Sequence, residues 1–196
     1  MIPALTPASW QLWCFATLAL VMLMAIEADH RERRIPNVLV VFTIAAGVAL
    51  HVLGPANERA GLFDTFPGAL GAGQALLGIV VGLLVFLPFY FFGAMGAGDV
   101  KFMAALGAFT GPWDAIGLAL TILVAGGVLA LARMLMKRNS RVVLGNVMVL
   151  LGSWGRGGPQ VFNPATQSAD RMPYAFAFAL GLVAYGYARL SGIGAF

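Results

Sequence analysis

The chain has 196 residues, of which 60% are hydrophobic and only 10% charged, with a mean hydropathy of +0.88 and a formal net charge of +4. A soluble domain is about half apolar and about a quarter charged, so the charge deficit excludes that class and predicts one integral membrane domain over 1–196. The basic residues sit between apolar spans, which makes them orientation signals in a membrane and not a nucleic-acid surface.

The expected fold is all-α: a polytopic transmembrane helix bundle of about six spans plus one interfacial segment. MIPALTPASWQLWCF carries no Lys or Arg ahead of its apolar run, so the first span reads as a retained helix and not a cleaved signal. Roughly 20 apolar residues cross the hydrocarbon core. On that scale the spans fall at roughly 10–28, 38–53, 70–92, 100–110 (ending at Gly111-Pro112), 115–135 and 174–190. Trp10, Trp13 and Trp113 lie near span ends, where indole rings anchor at the lipid interface. Pro88 predicts a kink near the end of the third span. Gly78 and Gly82, four apart, allow helices to approach closely. RVVLGNVMVLLGSW (141–154) has an apolar core too short to cross comfortably and is read as interfacial or partner-packed, with a seventh span as the alternative; the glycine- and proline-rich stretch after it reads as a loop.

Six spans divide the twelve basic residues ten to two. Arg31, Arg33, Arg34, Lys101, Arg133, Lys137, Arg138, Arg141, Arg156 and Arg171 fall on one side, Arg59 and Arg189 on the other. The positive-inside rule puts the rich side in the cytoplasm of a multi-pass inner-membrane protein with its N-terminus outside. EADHRERRIPN and GAGDVK both lie at that cytoplasmic boundary, so Asp29 and Asp99, 70 residues apart in sequence, share one membrane depth.

An acid at a span end reads as an ordinary interfacial charge, a transport site, or half of a catalytic pair. Two features favour the pair: both acids are on one face, and Asp99 is set among Gly93, Gly96 and Gly98, where glycine leaves room for unusual backbone angles or for another backbone, such as an extended peptide. Two carboxylates held close share one proton, so one serves as base and the other as acid toward a water attacking a peptide carbonyl, with no metal or cofactor. The chain has no HExxH, no GxSxG, and only two histidines, His30 and His51, which the spans put on opposite faces. The lone Cys14 builds neither a disulfide framework nor a CxxC zinc site, and no Cys–His pair is available.

Three stretches together resemble the type IV prepilin peptidases, intramembrane aspartic proteases with a glycine-x-glycine-Asp motif. They are Asp29 with Arg33-Arg34-Ile35-Pro36-Asn37, then Gly96-Ala97-Gly98-Asp99-Val100-Lys101, then Met172-Pro173-Tyr174 opening the last span. Their order and the span pattern extend the likeness over nearly the whole chain. The resemblance implies that Asp29 and Asp99 are the catalytic dyad, and that the substrate is a prepilin or pilin-like precursor whose short basic leader is cut at the cytoplasmic membrane edge. Longer relatives carry an N-terminal region with paired cysteines and also methylate the new N-terminus. This chain starts at the first span with a single cysteine, so it resembles the short, peptidase-only branch associated with tight-adherence (Flp) pili, and no methyltransfer is expected.

Other residues read two ways. Lys101 either steadies the dyad or binds a substrate carboxylate, or is an ordinary snorkelling lysine. Pro36 fixes the backbone before the second span and Asn37 suits its cap; both also belong to the family pattern. Tyr174 opens the last helix or lines the site. Glu27 and the arginines of 31–34 read as interfacial and topological, and Asp114 and Asp170 as loop or helix-start acids. Two other classes stay open: a small proton- or cation-coupled transporter using one of the acids, and a non-catalytic subunit of a pilus or secretion machine.

Overall fold

A computed structural model describes residues 6–57, 61–92, 95–136 and 174–192. They form five helices: α1 (Pro7–Glu32), α2 (Asn37–Leu53), α3 (Gly71–Phe91), α4 (Ala97–Met136) and α5 (Ala175–Leu190). α1, α3 and α4 are long and apolar enough to cross a membrane, while α2 and α5 are shorter apolar helices. Among the described residues the only β-type pairing is an isolated bridge between Ala56 and Ala69. The protein is a helical membrane bundle. The segment 141–154, expected at the interface, lies outside the described residues.

α4 contains both the fourth and the fifth expected spans. Its helical angles break at Gly111 (φ 74, ψ 175), immediately before Pro112. A left-handed φ is open to glycine at little cost, and Pro112 cannot donate to the preceding turn, so this pair ends one limb and starts another. Neighbouring contacts show the reversal. Gly78 and Gly82 of α3 face Gly107 and Met103 of the first limb, whereas Gly117, Ile122 and Gly126 of the second limb face Tyr185 and Gly181 of α5 and Tyr174 just before it. Both registers are antiparallel, and the phenol of Tyr174, at the return end of the second limb, feels the charge of Asp99, where the first limb began. Counting both limbs, the described chain makes six helical passes.

The first limb of α4 is the core. Phe102, Met103, Ala105, Leu106, Ala108 and Phe109 are all fully buried, because α2, α3 and α5 pack around it. The α3–α4 contact is the most extensive in the bundle. Its closeness rests on absent side chains: a Cβ on Gly78 would collide with the Gly107 carbonyl oxygen, and one on Gly107 with that of Gly78.

At one end of the bundle a polar seam ties the helices together. His51 is buried; its Nε2 lies 2.8 Å from the Phe109 carbonyl and its Nδ1 accepts from Leu70 N–H at 3.1 Å, which sets Nε2 as the protonated nitrogen. Trp10 packs edge-on against His51, and its Nε1 donates to the Leu50 carbonyl at 2.7 Å. The lipid-anchor reading of Trp10 is therefore corrected: the side chain is fully buried, and its polar edge is satisfied by protein. Trp13 and Trp113 are exposed. Asp114, expected as a simple helix-start acid, is instead buried. It accepts from the Tyr185 hydroxyl at 2.7 Å and pairs with Arg189 at 3.4 Å.

The close approach gives a sharp test. Ala ordinarily favours a helix interior by up to about 1 kcal/mol over Gly, yet Gly78→Ala should destabilise the protein by about 1–3 kcal/mol through overpacking against backbone. Thermal unfolding in detergent reads the sign.

Candidate active site

The two acids singled out in the sequence occupy the end of the bundle opposite His51. α1 buries Trp10, Cys14, Leu18, Val21, Met22 and Ala25, a stripe at helical spacing of three and four. Asp29 is the next position of that stripe, four residues after Ala25, so its side chain turns inward and is 8% exposed. One turn later α1 ends: Arg33 takes a left-handed φ of 53, and its N–H donates to the Asp29 carbonyl. The chain then crosses through buried Ile35 to Pro36, which caps α2 with an extended ψ of 137 and accepts from Leu39 and Val40 N–H.

Asp29 Oδ2 accepts a hydrogen bond from the backbone N–H of Ala175, at 3.0 Å in a buried position. Ala175 is the first residue of α5, whose preceding Tyr174 makes no side-chain capping bond. A helix start leaves backbone donors without internal partners. Here α1 supplies the acceptor that α5 lacks, from 146 residues away.

Asp99 sits in the first turn of α4 and folds back on it. Gly96 N–H donates to Asp99 Oδ2 at 3.2 Å, while Asp99 N–H donates to the Gly96 carbonyl at 3.1 Å. This is the acid's half of a capping box, with Asp in place of the usual Glu; Gly96 has no side chain to return the second bond, and its carbonyl accepts the Asp99 N–H instead. Gly96 and Gly98 do not take positive φ, so the reading of unusual backbone angles fails for them. What Gly98 provides is proximity. A Cβ there would meet Ile35 N at 3.6 Å, so the start of α4 lies against the α1–α2 connection. Gly93 lies outside the described residues.

These contacts bring Asp29 and Asp99 into one electrostatic neighbourhood, where the two carboxylates repel one another. The α5 start borders both: Ala175 N–H holds Asp29, while burial and then the charge of Asp99 push the Tyr174 phenol above its usual range. Lys101 Nζ donates to Asn37 Oδ1 at 3.3 Å and links α4 to α2. Asn37 is thus not the cap it suggested; Pro36 occupies that position, and the Asn37 carboxamide is turned to Lys101. Glu27 pairs with Arg31 on the exposed face of α1, away from the buried stripe. Among the described residues no ion pair joins either aspartate, and no cluster of three His, Cys, Asp or Glu side chains is arranged to hold a metal.

At one end of this helical membrane bundle, then, two carboxylates lie within electrostatic reach, one at a helix start and one in a Gly-x-Gly-Asp turn. The chain belongs to the type IV leader peptidase family, whose sequence model matches residues 16–131, a stretch containing both acids. No curated protein and no solved structure matched the chain.

Sequence reasoning did not find Ala175, because its contribution is a backbone N–H that any residue but proline provides. Packing at Gly98 separates two substitutions. Gly98→Ala should stay within about 1 kcal/mol of the parent, since its methyl makes an ordinary contact; Gly98→Leu should lose about 1–3 kcal/mol as α4 is pushed off Ile35. Equal unfolding temperatures for the two variants would contradict the packing described.

Proposed function

We propose that the protein is a prepilin-type leader peptidase of the short, peptidase-only branch resembling the Flp-pilus enzymes, and that Asp29 and Asp99 are its catalytic dyad. The substrate is a prepilin or pilin-like precursor. Its basic leader is cut off at the cytoplasmic edge of the inner membrane, and its apolar stem stays in the bilayer. The observation that carries this reading is the meeting of two buried or half-buried carboxylates, far apart in sequence, beside a single helix start.

In the working state the pair holds one proton. The ionised carboxylate takes a proton from water as its oxygen attacks the scissile carbonyl, and the protonated partner donates to the carbonyl oxygen, giving a tetrahedral diol. Return of a proton to the departing nitrogen lets the C–N bond break, leaving a carboxylic acid on the leader and an amine on the stem. Neither a metal nor an organic cofactor enters these steps. Lys101 and Asn37 join α4 to α2 beside the dyad and support its position, as do Pro36 and Gly98 through the connection they pack. Basic residues Arg31, Arg33, Arg34 and Lys101 crowd this end, which supports a cytoplasmic orientation. A transport site is expected near the bilayer midplane between repeated halves; both acids here lie at helix ends.

Asp29→Asn and Asp99→Asn should each lower cleavage of a co-expressed pilin precursor by about 10⁴-fold or more, with the protein still in the membrane fraction. Gel-shift of the precursor measures this, and continued processing by both variants would defeat the proposal. Strong chelators should leave processing unchanged; a loss in EDTA that a divalent metal reverses would point to a different mechanism.

A further inference from the structure

The two carboxylates are not equivalent, and the difference is built by α5. Asp29 Oδ2 receives the N–H of Ala175, the first residue of a 16-residue helix with no side-chain cap of its own. Ala177 and Phe178 N–H both turn to the Tyr174 carbonyl, so the acceptor at the very tip of α5 is Asp29. The N-terminus of a helix carries about half a positive charge, and a backbone N–H bonds a carboxylate more strongly than a neutral carboxyl. The bond is buried, so water competes little for either partner. Asp99 is held differently. Among the described residues its one backbone donor is Gly96, of its own turn, at 3.2 Å in an exposed position where water competes.

Among the described residues, no other charge at this end pairs with either carboxylate. On α1, Glu27 is engaged by Arg31, and His30, Glu32 and Arg33 are exposed. Arg34 in the connection is exposed as well, and α2 brings only Asn37 to this end. α4 contributes Asp99, the exposed Lys101, whose ammonium is directed to Asn37, and in its last turn the half-buried Arg133, which pairs with neither aspartate. α5 contributes Tyr174, whose phenol is kept un-ionised.

We infer that the N-terminus of α5, through the Ala175 N–H, is a positioning element that keeps Asp29 ionised as the general base and so places the shared proton of the pair on Asp99 as the general acid. This rests on the dyad reading above and assigns its two members different roles.

Removing the Ala175 donor tests it. Ala175→Pro deletes the N–H, but Tyr174 has ψ −19, a conformation disfavoured before proline. The decisive variant therefore replaces Ala175 by its α-hydroxy analogue, lactic acid, which exchanges N–H for an ester oxygen and keeps the side chain. The profile of kcat/KM against pH for prepilin cleavage is bell-shaped and belongs to the pair. If Asp29 is the ionised member, the ester raises the acidic limb by roughly one to two pH units, as expected from a lost hydrogen bond to a charged group. The alkaline limb stays, because Asp29 is ionised on both sides of that step. Movement of the alkaline limb alone reverses the roles and overturns the inference; two unmoved limbs overturn it as well. Where the ester is too slow to profile, the Asp29 carboxyl is titrated directly by ¹³C NMR in protein carrying Asp99→Asn, with and without the ester. An unchanged Asp29 titration there overturns the inference. Because this second measurement needs no cleavage, it stands apart from the dyad reading, which fails instead if Asp29→Asn and Asp99→Asn still process prepilin.

Discussion

A carboxylate buried at the rim of an apolar bundle must find donors, and much of this architecture follows from where Asp29 finds one. Among the described residues its partner is neither an arginine nor a lysine, although basic residues are dense at this end. It is the first backbone N–H of the last described helix. One bond therefore satisfies two groups that would each be costly to leave alone, a buried anion and an uncapped helix start. It also locks the first described helix to the last and brings Tyr174 within electrostatic reach of Asp99.

The opposite end solves a similar problem with side chains. His51, Trp10 and two carbonyls close the seam between α1, α2 and α4, and Asp114 is neutralised by Tyr185 and Arg189. The acid at that end has both a hydroxyl and a guanidinium for partners. At the Asp29–Asp99 end two acids lie within electrostatic reach of one another, and among the described residues no cation pairs with either. A site meant only to be stable would pair them, whereas a site meant to move a proton between them leaves one proton to share.

Much of this was legible in the residues. Hydropathy located the helices, because a bilayer demands long apolar runs. The distribution of lysine and arginine put Asp29 and Asp99 at one depth, and Gly111-Pro112 marked the reversal in α4. Rotation about a helix axis was harder to read. Trp10 at a span end looks the same whether it faces lipid or His51, and only packing shows the buried edge. Asn37 fits a cap by residue type, but the donor that captured its side chain, Lys101, is 64 residues away. The Asp114–Tyr185–Arg189 cluster joins residues 71 or more apart. The Ala175 contact left no trace in residue identity at all, because the donor is backbone.

The account stands on Asp29 and Asp99 facing each other in the folded protein, and a proximity measurement in native membranes tests this most directly. Cys14 is the only cysteine, so Cys14→Ser gives a cysteine-free background into which Asp29→Cys and Asp99→Cys are placed together. A short bifunctional thiol reagent should join the two within one chain, seen as a faster-migrating band absent from either single-cysteine protein. Two thiols that both react with a monofunctional maleimide, yet are never joined at any reagent length short of the bundle's width, would contradict it.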